Sequence, residues 1–218
     1  SIHMNTASYQ VETLSVGQLG TNCYIVFDTS SKDAVVIDPG DDGNFIAEKI
    51  LSLHIHPHAI LVTHGHFDHI LGVYELQEIL HVPVYMNKND GFLVQRMKES
   101  AQHFLHRTIV EQEPNITPIS TKKLSFGTID IDIVATPGHT PGGVSFVMKE
   151  ADMIYTGDTL FAHGYIGRTD LSYSRPLDLA DSIKTLLALP PHYTVYPGHG
   201  DSSTIGMEKK LHEKGKDV

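Results

Sequence analysis

Sulfur chemistry is nearly absent from this sequence. Cys23 is the one cysteine in 218 residues, which excludes an intrachain disulfide and fits a reducing compartment. It lies in the apolar run TNCYIVFD, where a small buried thiol is expected rather than a reactive one. Basic residues are scarce as well. Lys and Arg total 16 against 26 Asp and Glu, for a formal charge of -10. That balance argues against a nucleic-acid partner, because phosphate contacts need clustered cations. A small anionic substrate stays open, since one local cation or metal outweighs a distant net charge. No apolar run is long enough to span a membrane. The N-terminus lacks a basic stretch followed by an apolar segment, so no signal peptide is expected and the protein reads as cytoplasmic. The residues before Met4 read as an expression leftover. Residues 1–8 are expected to be disordered or tag-derived, with one domain over 9–218.

Hydrophobic residues make up 40% of the chain, enough for a substantial core at this length. YQVETLSV, NCYIVFD and DAVVIDPG read as strands separated by turns. Residues 42–53 carry apolar side chains at helical spacing in Phe45, Ile46, Ile50, Leu51 and Leu53. AILVTH reads as a buried strand ending at His64, 70–81 as a helix and VPVYMN as a further strand. A helix is expected over 88–107 and a loop over 108–121, where Pro114 and Pro118 fall. KKLSFG, IDIDIVATPG, VSFVMKE and DMIYTGD form a second run of strands. A helix over 177–189, the strand YTVYPG and a helix from about 204 close the chain. Strands with helices recur in two comparable halves, and neither half closes a core alone. The expected architecture is a single α/β domain, two sheets face to face with helices outside, in four αββα layers.

The segment THGHFDH packs His64, His66, Asp68 and His69 behind an apolar run. In an extended or tightly turning stretch, residues two apart can point the same way. His64 and His66 can therefore reach one metal, and Asp68 and His69 another. Gly65 allows close backbone approach where a side chain would obstruct. A chance His-rich loop is the competing reading, since the chain holds 15 His. HIHPH (His54, His56, His58) lacks a carboxylate and precedes a strand, so it is read as a solvated connection. Three later segments decide the matter, because each ends an apolar run with a potential ligand beside glycine. These are His139 in IVATPGHT, Asp158 in MIYTGDT and His199 in TVYPGHG. Together the segments supply donors for two metals with a shared carboxylate.

HGHFDH, PGHTPGG, TGDTLF and YPGHG, in this order, resemble the metallo-β-lactamase superfamily. GDTLF, IGRTDL and PGHGDSSTIGMEKK are similar to its short glyoxalase II-like (hydroxyacylglutathione hydrolase-like) branch. The resemblance runs from about residue 10 to the C-terminal helix. It implies that His64, His66 and His139 bind a first divalent metal, that Asp68, His69 and His199 bind a second, and that Asp158 bridges them. Zinc is the default, with iron or manganese as alternatives. The implied reaction is attack by a bridging hydroxide on the carbonyl of a small thioester or ester, S-2-hydroxyacylglutathione or a relative, with Asp68 also orienting the nucleophile. Full-length glyoxalase II carries a further C-terminal helical region that grips glutathione. The sequence here runs from GMEKK to Val218 without one, and Lys209, Lys210 and Lys214 read as helix-surface charge.

Arg168 in IGRTD has two readings, a cation for a substrate carboxylate or a salt bridge with a neighbour such as Asp170. His163 and Tyr165 are assigned no role, Thr140 reads as a turn hydroxyl, and His103 and His106 are expected to face solvent. The rival activities are a mononuclear iron persulfide dioxygenase, using the equivalents of His64, His139 and Asp158, and a lactonase. A β-lactamase fits less well, because Cys23 lies outside the motifs and Asp158 supplies a bridging acid. A non-enzymatic metal-stabilised module is the remaining class.

Overall fold

The structure, a computed structural model, describes residues 8–215. The expected N-terminal leader therefore lies, apart from Ser8, outside the described residues. The first sheet is formed by β1 (Tyr9–Val16), β2 (Thr21–Asp28), β3 (Asp33–Ile37), β4 (His56–Leu61), β5 (Val84–Met86) and β6 (Ile116–Pro118), paired in that order. The second holds β7 (Lys123–Phe126), β8 (Ile129–Ala135), β9 (Val144–Met148), β10 (Met153–Gly157), β11 (Thr194–Pro197) and β12 (Ser203–Thr204), again paired in chain order. Helices α1 (Gly43–Ser52), α2 (Phe67–Ile70), α3 (Val73–Leu80), α4 (Gly91–Gln95) and α5 (Met97–Leu105) follow strands of the first sheet. Helices α6 (Pro176–Leu187) and α7 (Ile205–Lys214) serve the second.

The four layers follow from side-chain alternation along strands buried on both faces. In β2, Cys23, Ile25 and Phe27 join a cluster with Ile46, Ile50, Leu76 and Met97 of the helices. Tyr24 and Val26, the alternate residues, meet Ile129, Ile131, Phe146 and Tyr155 of the other sheet. In β10 the division repeats: Tyr155 faces the first sheet, while Ile154 packs with Leu179, Ile183 and Leu186 of α6. Each fully buried side chain of this size contributes roughly 1.5–3 kcal/mol, and this one pattern fixes which side of each strand meets which layer. Cys23 is fully buried, as expected, and burial pushes its thiol well up from the usual range.

Local differences from the sequence reading have physical causes. β4 starts at His56 and ends at Leu61, so His56 and His58 belong to a strand rather than a solvated connection. His58 Nε2 is held 2.7 Å from Asp33 Oδ1 on the adjacent strand. The expected helix over 70–81 is α3, which starts at Val73 after the short α2. That over 88–107 is a 3₁₀ turn (Lys88–Asp90), α4 and α5, broken at Arg96 with φ -92° and ψ 4°. The expected loop contains β6, which tolerates Pro118 as the last residue of an edge strand.

β3 and β4 are parallel, as are β10 and β11, while β8 and β9 run antiparallel. The chain therefore leaves β3, β4, β8, β10 and β11 at one rim. Backbone hydrogen bonds join the departing loops there: Val144 N to Thr63 O at 2.9 Å, Asn22 N to Gly198 O at 2.7 Å and Gly198 N to Gly157 O at 2.7 Å.

Candidate metal centre

All seven residues expected from the sequence as ligands meet at this rim. His64, His66, His139 and Asp158 form one group, and Asp68, His69, His199 and Asp158 another. Within each, the candidate ligand atoms lie within 4.8 Å of one another. Asp158, directly after β10, belongs to both. Its Oδ2 lies 3.7 Å from His64 Nε2, 3.6 Å from His139 Nε2 and 3.5 Å from His199 Nε2, and its Oδ1 lies 3.3 Å from His69 Nε2. Donors about 2.1 Å from one tetrahedral ion stand about 3.4 Å apart, so these spacings suit a shared ion.

Two further observations test the fit. His64 Nε2, His69 Nε2, His139 Nε2 and Asp158 Oδ1 are buried without a hydrogen-bond partner among the described residues. Buried polar atoms are rarely orphaned, and a metal is a standard reason. The opposite ring nitrogens are all engaged. His64 Nδ1 lies 3.0 Å from Thr63 Oγ1, His69 Nδ1 2.9 Å from Asp38 Oδ2, His139 Nδ1 2.8 Å from the Arg168 carbonyl and His199 Nδ1 3.2 Å from the Leu19 carbonyl. A proton fixed on Nδ1 leaves the Nε2 lone pair for a metal. His66 is the reverse case: its Nε2 lies 2.7 Å from Tyr173 Oη, which leaves Nδ1 for a ligand. The residues present fit two divalent ions.

Electrostatics agree. Burial and the neighbouring His69 hold His64 well below the usual histidine range, and burial with the nearby His139 lowers His66 to about 4. Both are therefore neutral imidazoles at pH 7. Burial alone would raise Asp158, but the charge of His69 and a hydrogen bond with His199 hold it well below the usual carboxylate value. Asp68 is likewise lowered against the effect of its burial, chiefly by His69. Burial would lower His199, yet hydrogen bonds to Asp158 and Asp68 push it up to about 10. Protons and a metal compete for that site.

Three residues that the sequence reading missed hold the ligands in place. Asp38, at the end of β3, is buried with a left-handed φ of 52°. It accepts from Thr63 N at 2.8 Å, Thr63 Oγ1 at 2.6 Å and His69 Nδ1. Asp90 accepts from Gly65 N at 2.9 Å, Thr140 Oγ1 at 2.7 Å and Gly142 N at 2.6 Å, so it ties the His64–His69 loop to the His139 loop. Thr140, read as a turn hydroxyl, serves that tie. Tyr173 holds His66. The recurring sequence grammar of apolar strand, acid and glycine in VVIDPG, matching MIYTGD, is the signal that could have found Asp38.

Arg168 pairs with Asp170 through Nε–Oδ1 and Nη2–Oδ2 contacts of 2.6 Å, while its carbonyl positions His139. His163 pairs with Asp201 at 3.0 Å on the surface, and Tyr165 is exposed. His103 and His106 face solvent. The candidate ligands open into a cavity of about 450 Å³, bounded also by Leu93, Ser100 and Phe104 of α4 and α5.

Residues 16–199 match the family described as the metallo-beta-lactamase superfamily, and the chain belongs to it. The likeness extends to individual relatives. Hydroxyacylglutathione hydrolase GloC of Haemophilus influenzae is 33% identical over 210 residues, covering 92% of this chain and 95% of GloC. Among solved structures, the B3 metallo-beta-lactamase BLEG-1 superposes with TM-score 0.85 at 31% identity, covering 92% of this chain and 97% of BLEG-1. TTHA1623 in a di-iron-bound form superposes with TM-score 0.83 at 35% identity, covering 92% and 98%. Among the described residues no helix is long and apolar enough to cross a membrane.

Proposed function

We propose that this chain is a binuclear metal hydrolase that cleaves a small thioester or ester. The observation that carries the reading is the pair of ligand groups sharing Asp158 at the base of an open cavity. His64, His66 and His139 would hold one ion and Asp68, His69 and His199 the other, with Asp158 between them. Zinc is the first choice, and the di-iron form of TTHA1623 keeps iron in view. Two such ions supply a hydroxide near neutral pH and polarise a carbonyl.

The protein's own groups do the rest. Asp38 and the Leu19 and Arg168 carbonyls keep protons on the Nδ1 atoms of His69, His199 and His139, so that Nε2 stays a donor pair. Thr63 does the same for His64, its own hydroxyl donating a hydrogen bond to Asp38. Asp68 stays ionised and accepts a hydrogen bond from Thr21 Oγ1 at 3.4 Å. That leaves a carboxylate on the cavity wall to orient an attacking water's proton. The cytoplasm suits a chain whose one thiol is buried.

The test is hydrolysis of a thioester panel by protein loaded with zinc, iron or manganese, with and without a chelator. Turnover that chelation removes and metal restores supports the reading. A protein that turns over β-lactams but no thioester or ester overturns it.

A further inference from the structure

One side of the cavity beside the candidate ligands is largely apolar. Leu19, Phe67, Leu93, Phe104, Leu171 and Tyr173 line it. Phe104 stacks on Phe67 with ring centroids 5.6 Å apart and planes 8° apart. Phe104 and Leu19 are 51% and 47% exposed. Large apolar side chains left open beside a reactive centre mark a binding surface for apolar matter. Each keeps about half of its surface open to contact with a ligand.

The cations tell the same story. Arg168 is the one Lys or Arg among the cavity-lining residues, and Asp170 already holds it through two contacts of 2.6 Å. A substrate carboxylate arriving there meets a pair of zero net charge. Arg96 lies over the Phe92 ring at 5.2 Å and is not among the lining residues, and Arg107 is bound to Asp41. Glutathione carries two carboxylates and an ammonium, and the one Lys or Arg side chain among the described residues lining the cavity is already paired with a carboxylate.

We infer that the substrate is a neutral thioester with an apolar or aromatic acyl group, seated against Phe67, Phe104, Leu93 and Leu171, rather than a hydroxyacyl glutathione thioester. The inference deepens the hydrolase reading and rests on it for the reaction, though not for binding. It also separates this chain from what the name of GloC says of that relative.

Four substrates test it, pairing phenylacetyl or lactoyl groups with N-acetylcysteamine or glutathione. The metal-loaded enzyme should show kcat/KM at least tenfold higher for S-phenylacetyl-N-acetylcysteamine than for S-lactoylglutathione. Equal values, or a preference for S-lactoylglutathione, overturn the inference while leaving the hydrolase intact. Phe104→Ala should lower the phenylacetyl-to-lactoyl ratio on the same thiol at least threefold, and an unmoved ratio also overturns it. Calorimetry with thioethers, which cannot be hydrolysed, supplies the readout independent of turnover. S-phenethyl-N-acetylcysteamine should bind at least tenfold more tightly than S-methylglutathione. If no thioester is cleaved but this order of binding holds, the reaction assignment fails and the apolar site stands. The reverse order of binding overturns the site.

Discussion

Replacing Asp38 with Asn should cripple the metal centre without touching any of the seven ligands expected from the sequence. Asp38 accepts three hydrogen bonds, from Thr63 N and Thr63 Oγ1 and from His69 Nδ1. Its φ of 52° is one that Asn tolerates well, so the backbone is spared. Asn has one acceptor oxygen where Asp has two. If that oxygen faces His69 and Thr63 Oγ1, the amide NH₂ opposes Thr63 N, donor against donor. If it faces Thr63 N, the NH₂ opposes His69 Nδ1 and forces the proton onto Nε2, the atom a metal needs. Either arrangement loses at least one charge-assisted hydrogen bond in a dry site, about 1.5–3 kcal/mol. Removing a group that orients a ligating His lowers metal affinity about 10- to 100-fold. Competition titration against a chromophoric chelator reads this directly, with circular dichroism as the check on folding. A folded Asp38→Asn variant that binds zinc with wild-type affinity refutes the claim that Asp38 sets the His69 tautomer.

Three more outcomes are expected. Gly198→Ala should weaken metal binding at least tenfold with all ligands in place, because a Cβ there would overlap Asp158 Oδ1 and stand 2.7 Å from His69 Cε1; the same chelator titration measures it. Stripping metal from loaded protein should lower Tm by about 10–20 °C, since each of two ions at 100 times its Kd stabilises by about 2.7 kcal/mol, and calorimetry checks it. Asp33 joins the sheets by accepting from Thr128 N at 3.0 Å, and it also contacts His58 on the adjacent strand. Burial opposes its charge, but these hydrogen bonds lower it from 3.8 to about 2. The folded value lies below the unfolded one, so its contribution is present above pH 4 and disappears as pH falls through about 2. Asp33→Ala should therefore cost up to about 2 kcal/mol at pH 7 and progressively less in acid. Urea titrations at pH 7 and pH 3 compare the two, and an equal loss at both would count against the assignment.

The architecture was legible because strands buried on both faces write continuous apolar runs, and NCYIVFD and DAVVI are such runs. The site was legible because His64, His139, Asp158 and His199 each close one of those runs beside glycine. Their convergence on one rim is a consequence of strand direction, which the order of elements already implied. What the sequence hid is mostly contact between distant segments. Asp90 sits in the polar stretch NKND, and only folding brings it to Gly65, Thr140 and Gly142. Tyr173 lies 107 positions from His66 in a loop with no periodic signal. The two-residue strand β12 is too short to leave a pattern. The HIHPH cluster looked solvated because its polarity masks a strand start, and His58 is fixed there by Asp33 on the adjacent strand. Arg168 satisfies the salt-bridge reading through its side chain and serves the site through its carbonyl, a backbone role that residue type cannot reveal.

Metal content per chain, by elemental analysis of protein purified without added metal, tests the central claim most directly. The shared position of Asp158 between two complete ligand groups predicts about two divalent ions per chain, falling together when Asp158→Ala is introduced. One ion per chain, retained in that variant, would contradict the binuclear account.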